Sequence, residues 1–266
     1  MSRGRVLIIA GSDSGGGAGI QADIKAVTAL GGFAMTAITA LTIQDTVTVH
    51  DVFDVPAGVV ADQMRVVLQD IGADAIKTGM LHRADIIEAV ADTLARYAPD
   101  VPLVVDPVMV AKGGAKLLVP EAATALREKL IARATLITPN LPEAEVLSGL
   151  KIAGVQDMPA AATWLLRQGP KAVLLKGGHL EGPMLVDLLA HEGQIDRFEN
   201  TRIDTTSTHG TGCTMASAIA AGIAFGLPLK QAVVQARAYV QKAIETAPGF
   251  GHGHGPLNHA HTVQRR

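Results

Sequence analysis

Short apolar runs alternate along this chain with longer stretches whose apolar residues recur every three or four positions. Val6-Leu7-Ile8-Ile9-Ala10 is an unbroken apolar run ending at glycine, the mark of a strand buried on both faces. Residues 20–30 place Ile24, Val27 and Leu30 on one side of a helix. The same reading predicts extended segments over 33–42 and 47–55, a helix over 56–70, a strand over 74–77, a helix over 84–97 and a strand over 103–106. Further strands are predicted over 135–138 and 172–176, with helices over 142–148 and 159–168 between them. Segments 186–190 and 194–202 read as an antiparallel pair joined by Glu192-Gly193, and helices over 213–225 and 229–247 complete the pattern. Strand–helix alternation of this kind predicts an α/β fold with a mostly parallel sheet covered by helices. No Pro- or Gly-rich linker divides the chain, so residues 1–266 are expected to form a single domain.

Composition narrows the partners. Hydrophobic residues make up 48% of the chain but aromatics only 3%, so the core must be aliphatic. A formal net charge of -2 leaves no electrostatic footprint for nucleic acid or an anionic membrane. A single cysteine excludes an internal disulfide framework and fits a reducing compartment. The run over 6–10 is too short for a signal segment, and no uncharged stretch reaches spanning length. The expectation is a soluble cytoplasmic protein.

In doubly wound sheets, ligands bind beyond the carboxyl ends of the strands. The notable polar residues fall there: 11–23, Lys77-Thr78-Gly79, Asp106-Pro107, 140–143 and Lys176-Gly177-Gly178-His179. Ser207-Thr208-His209-Gly210-Thr211-Gly212-Cys213-Thr214 precedes an Ala-rich helix. Such a turn aims free N–H groups at one point, and the helix dipole adds positive charge, which makes an anion site. Cys213 lies in its mouth, where that field is expected to favour the thiolate. An anion cradle beside an acid–base group points to phosphoryl transfer; a plain Gly-rich loop with a small buried cysteine is the alternative.

Other candidates carry two readings each. The loop from Gly11 to Gly19 meets the dinucleotide pattern only loosely and is no Walker A; it suits close backbone approach to a small ligand. Asp23 either faces that ligand or is a solvated helix residue. Asp106, at a strand end, and Glu143 have the chemistry to hold Mg²⁺, while Asn140 and Glu143 also have the spacing of a capping box. Lys176 either reaches a phosphate or snorkels at an edge. Lys112-Gly113-Gly114-Ala115-Lys116 reads as a loop able to close over a nucleotide or as plain solvent-facing chain. The Gly/His-rich stretch 251–261 lacks zinc spacing and is expected to pack near the site.

Together these segments resemble the ribokinase-like superfamily, and within it the bacterial hydroxymethylpyrimidine/phosphomethylpyrimidine kinases of thiamine synthesis. The likeness rests on residues 10–23, Ala40-Leu41-Thr42-Ile43-Gln44, Lys77-Thr78-Gly79-Met80-Leu81, Val105-Asp106-Pro107-Val108-Met109, 138–144, Leu175-Lys176-Gly177-Gly178-His179 and 209–214, with Gly251-His252-Gly253-His254-Gly255-Pro256 matching the family's C-terminal end. It implies a three-layer α/β/α fold and two successive phosphorylations by Mg-ATP. The substrate would be 4-amino-5-hydroxymethyl-2-methylpyrimidine, taken first to its monophosphate and then to the pyrophosphate. By the same resemblance Gln44 would bond the aminopyrimidine edge, and Gly11, Ala18, Asp23, Met80 and Val108 would line or abut that pocket. Asp106 and Glu143 would organise Mg²⁺. Lys176, Asn140, Thr211 and Gly212 would hold the nucleotide's phosphates. Residues 210–213 would form the anion hole, with Cys213 at the general-base position. A homodimer is implied, with residues 33–42 contributing. The competing readings are a pyridoxal/pyridoxine kinase of the same fold, a non-catalytic pyrimidine- or nucleotide-binding regulator, and an NAD-dependent oxidoreductase.

Overall fold

The strand β1 (Arg5–Asp13) shows why this chain needs two helical layers. Alternate residues of a strand face opposite ways. Both sets are apolar here: Leu7 and Ile9 join one core, while Val6, Ile8 and Ala10 join the other. The computed structural model describes residues 4–110, 114, 117–119 and 121–263. After β1 come β2 (Phe33–Gln44), β3 (Val49–Asp54), β4 (Ala75–Thr78), β5 (Leu103–Val105), β6 (Leu136–Ile137), β7 (Ala172–Lys176), β8 (Met184–His191) and β9 (Gln194–Thr201). They form one sheet in the order β3-β2-β1-β4-β5-β6-β7-β8-β9. The strands from β2 through β7 in that order are parallel; β3 and β8 run antiparallel to their inner neighbours.

The helices are α1 (Gly19–Ala29), α2 (Ala57–Asp70), α3 (Ala84–Tyr97), α4 (Ala122–Ala125), α5 (Leu141–Ser148), α6 (Met158–Leu166), α7 (Thr211–Ala224) and α8 (Leu229–Glu245). On α3, Ile86, Ile87, Val90 and Leu94 make the buried stripe, with Asp85 in the first turn and Arg96 in the last to suit the dipole. Helices α2 to α6 pack on the face carrying Leu7 and Ile9, and α1, α7 and α8 on the other. The expected three-layer α/β/α architecture is therefore present. Small residues let α7 pass between the sheet and α8: a β-carbon on Gly222 would lie 2.9 Å from that of Ala232.

The predicted hairpin is β8–β9. Its two turn residues, Glu192 and Gly193, both have positive φ (48° and 76°), the pattern of a type I′ turn that matches strand twist. Two differences matter for the site. β1 continues past Ala10 to Asp13 through a register shift between Ala10 and Ser12, so part of the expected glycine loop is strand. Residues 122–133, given no element from sequence, form α4 followed by a π turn and a 3₁₀ turn that bury Leu126, Leu130 and Ile131.

Candidate active site

Two glycine turns meet beyond the carboxyl ends of β1 and β4. Gly210 takes φ +78°, and a β-carbon there would overlap the carbonyl oxygen of Gly17. Glycine is required on both counts. Helix α7 starts directly after it with no side-chain cap. Among the described residues the N–H groups of Gly212 and Cys213 have no protein partner, so they stay open to an anion. The N–H of Gly19, opening α1, is directed at the Cys213 sulfur. Two helix N-termini thus converge on that residue. Thr211 turns its hydroxyl back to the Thr208 carbonyl at 2.7 Å.

Beside this cradle stands a buried charge cluster. Asp106, just past β5, accepts from Thr138 Oγ1 at 2.8 Å and from Lys176 Nζ at 3.1 Å through the same oxygen. A β-carbon on Gly212 would sit 3.1 Å from Lys176 Nζ and 3.6 Å from Asp106 Oδ2, which places the cluster against the first turn of α7. Burial opposes the Asp106 charge, but Lys176 and Lys77 outweigh it and hold the carboxyl below its ordinary value. Burial likewise opposes the Lys176 charge, yet Asp106 and Glu143 hold its pKa up. Asn140 and Glu143 do form the capping box of α5: Asn140 Oδ1 accepts from Glu143 N at 2.9 Å, and Glu143 Oε2 from Asn140 N at 2.8 Å. Asn140 is tied to the lysine's strand, since Lys176 N donates to the Pro139 carbonyl at 2.9 Å. Glu143 is pushed up to about 7, first by burial and then by Asp106, with Lys176 pulling the other way.

Asp23 is fully buried, which overturns the reading of it as a solvated helix residue. It pairs with Lys77 Nζ at 2.8 Å, itself fully buried, and accepts from Ser217 Oγ at 2.7 Å. Its carboxylate therefore braces α1 and α7 against β4 beneath the pocket. Burial works against the Lys77 charge, but Asp23, Cys213 and Asp106 hold its proton firmly.

The expectation for Cys213 is corrected. Burial pushes its thiol up to about 12, and the Asp23 and Asp106 carboxylates add to the rise. Lys77 and the Gly19 N–H pull the other way and lose. The helix field exists, but it acts on a half-buried sulfur flanked by two carboxylates.

Several of the remaining expected residues gather in a small apolar cluster. Met80 packs with Ala40 and Leu117, and Val108, Val49 and Val52 join them. A β-carbon on Gly11 would touch the Met80 sulfur at 3.4 Å. Gln44 ends β2 at the rim, paired in register with Val49. Ala18 lies at the seam of the two glycine turns.

Sequence reasoning missed Asp13 and the side chain of His209. Asp13 accepts from Gly15 N (2.8 Å), Gly17 N (3.0 Å) and Ala18 N (2.8 Å), and His209 Nε2 stands 2.8 Å from it. Burial opposes its charge, but His209 and these N–H groups hold the carboxyl below its usual range. One carboxylate thus shapes the first turn and locks it to the second. The only signal in the sequence was an acid inside a glycine run.

The Gly/His-rich segment packs near the site, against the β2–β3 connection and the second glycine turn. His254 N donates to the Thr46 carbonyl at 2.8 Å and His209 N to the Gly255 carbonyl at 3.1 Å. No metal-holding cluster of three or more His, Cys, Asp or Glu occurs among the described residues. The loop expected to close over nucleotide, Lys112-Gly113-Gly114-Ala115-Lys116, lies outside the described residues except for Gly114.

The model of a family described as phosphomethylpyrimidine kinase matches residues 13–258. A thiamine biosynthesis bifunctional protein of Geobacter sulfurreducens is 51% identical over 257 residues, 97% of this chain, and the chain spans only 52% of its length. A hydroxymethylpyrimidine/phosphomethylpyrimidine kinase of Bacillus subtilis is 46% identical over 260 residues, 97% of this chain and 96% of that one. Among solved structures, the ADP complex of a Bacillus subtilis pyridoxal kinase superposes with a TM-score of 0.88 at 38% identity, covering 96% of this chain and 97% of that one.

Proposed function

The chain belongs to the phosphomethylpyrimidine kinase family, and from that premise we propose how its residues carry out the two phosphorylations. It is an ATP-dependent kinase of hydroxymethylpyrimidine and phosphomethylpyrimidine in thiamine synthesis. The observation that carries the residue assignments is that Lys176 and Asp106 stand against the first turn of α7, where two backbone N–H groups are open.

Phosphoryl transfer needs positioning and charge stabilisation more than covalent chemistry. In our assignment Gly212 and Cys213 offer backbone N–H groups to the transferring phosphoryl, Lys176 supplies a fixed cation, and Asn140, Thr211 and Gly212 border the nucleotide's phosphates. Gly11, Met80 and Val108 hold the ring, and Gln44 reads its edge. Ala18 lines the seam, and Asp23 acts from below by fixing Cys213's helix.

Two buried carboxylates suit magnesium, which takes one or two carboxylates together with phosphate oxygens and water. Asp106 and Glu143 would hold it, and it would neutralise charge on the phosphates. Burial and then Asp106 raise the Glu143 carboxyl, and a bound cation would favour its ionised form.

Cys213 stands at the general-base position for the hydroxyl of the first transfer. Its thiolate is the minor form at neutral pH, so that step draws on a scarce base. The second transfer starts from a phosphate already ionised and does not need one. Cys213→Ala is therefore expected to slow the first transfer more than the second; equal losses would overturn the division.

We further assign residues 1–266 to one kinase domain working in the cytoplasm. Among the described residues no helix is long and apolar enough to cross a membrane. Leu41, Ile43 and Phe53, exposed together on the β2–β3 ribbon, support a homodimer through that face. A second reading, pyridoxal kinase activity, is favoured by the superposition above. Relative kcat/KM for the pyrimidine and for pyridoxal, with Mg-ATP saturating, tests the choice. Preference for the pyrimidine supports the first reading, and preference for pyridoxal the second.

A further inference from the structure

We infer that His209 and Thr42 are positioning residues that fix which way round the Gln44 amide faces, and so set which ring edge the pocket accepts. The inference rests on the assignment of Gln44 to the ring. His209 Nε2 lies 2.8 Å from Asp13 Oδ2 and 3.4 Å from Gln44 Nε2. Asp13 accepts three backbone N–H bonds besides, so it is ionised and can only accept. The proton on His209 Nε2 therefore points to Asp13, and that nitrogen has no lone pair left for an amide N–H.

The other side of the amide meets the same difficulty. Thr42 Oγ1 lies 2.8 Å from the Ser12 carbonyl and 3.2 Å from Gln44 Oε1. A hydroxyl has one proton. The Ser12 carbonyl can only accept, and its bond is the shorter, so it takes that proton. With Oε1 towards Thr42 and Nε2 towards His209, the amide faces an acceptor with an acceptor and a donor with a donor.

Turning the amide by half a revolution corrects both contacts. Its ends have the same shape, so the turn needs no room. The carbonyl then shares the His209 Nε2–H, and the NH₂ donates to Thr42 Oγ1. One N–H and one carbonyl lone pair remain for a ligand, in a fixed order: acceptor on the His209 side, donor on the Thr42 side. An edge carrying an amino group beside a ring nitrogen pairs with that order in one register. In pyridoxal the hydroxyl is separated from the ring nitrogen by the methyl-bearing carbon, so the two polar groups are not adjacent and that ring meets only half of it. Without its two pins the amide swivels to suit either ring, and discrimination falls.

Calorimetric dissociation constants for 4-amino-5-hydroxymethyl-2-methylpyrimidine and for pyridoxal, without nucleotide, test this. Thr42→Val keeps the side chain's shape and removes the acceptor. His209→Leu removes the N–H, and His209→Gln restores an N–H at the same reach. The ratio of the two constants should fall about tenfold in Thr42→Val and in His209→Leu, the effect of one hydrogen bond in a largely buried site. It should stay within about twofold of wild type in His209→Gln. A general loosening of the fold would weaken both ligands together and leave the ratio unchanged, which would overturn the inference. So would a fall in His209→Gln as large as in His209→Leu. A wild-type protein that binds neither ring would contradict the ring assignment itself, and this inference with it.

Discussion

Raising the pH should speed the first phosphoryl transfer far more than the second, and Cys213 sets by how much. With its thiol at about 12, roughly one molecule in 10⁵ carries a thiolate at pH 7, and the fraction rises about tenfold per pH unit. If that thiolate takes the hydroxyl proton, the first transfer gains about 100-fold between pH 7 and pH 9 until another step limits it. The second transfer, from an ionised phosphate, stays nearly flat. Rapid-quench product analysis, starting either from the hydroxymethyl compound or from its monophosphate, separates the two. Cys213→Ala should remove the slope of the first. Iodoacetamide offers a check without mutation, because the chain has one cysteine. Labelling at neutral pH should run roughly a thousandfold slower than for a free thiol near pKa 8.5 and keep accelerating past pH 10. A flat first-step profile, or the same slope in Cys213→Ala, would refute the base assignment. Labelling that levels off near pH 7 would refute the account of the thiol's surroundings.

Two further outcomes follow from the buried charges. Asp23→Leu strands the Lys77 ammonium in the core and should cost about 3–5 kcal/mol in denaturant unfolding, whereas Asp23→Leu with Lys77→Met should recover most of it; a double variant as unstable as the single would contradict the pairing. Glu143 binds its proton more tightly folded, at about 7, than at its ordinary 4.5, so this group's contribution is whole below pH 4.5 and is lost as pH rises through 7, by up to about 3 kcal/mol. Glu143→Gln keeps a cap acceptor and should be less sensitive to pH between 5.5 and 8 in magnesium-free urea unfolding; an unchanged pH dependence would assign the effect elsewhere.

Much of the fold was legible because two periodicities alternate cleanly. The aliphatic runs at 6–10, 103–105 and 172–175 are strands with apolar residues facing both layers, and the helix at 84–97 shows its stripe. The helical stretch from Ala122 carries a signal in Ala122, Leu126 and Leu130, four residues apart, but it is short and abuts the glycine-rich loop, which blurs its start. The arrangement of polar residues at strand ends was also readable. Their charge states were not. Lys77 pairs with an aspartate 54 residues away, and Asp13 with a histidine 196 residues away, so neither partner is visible in local spacing. The sign of the Cys213 shift fails for the same reason: a helix start is read from neighbours in sequence, while the burial and the two carboxylates that outweigh it come from α1, β4 and β5.

One site is expected to transfer a phosphoryl group twice. Product masses after incubation with Mg-ATP and 4-amino-5-hydroxymethyl-2-methylpyrimidine, followed over time, test it most directly. A monophosphate should accumulate first and a pyrophosphate replace it, both lost together in Lys176→Ala. A monophosphate that is never carried further, or phosphorylation of pyridoxal in preference to the pyrimidine, would contradict it.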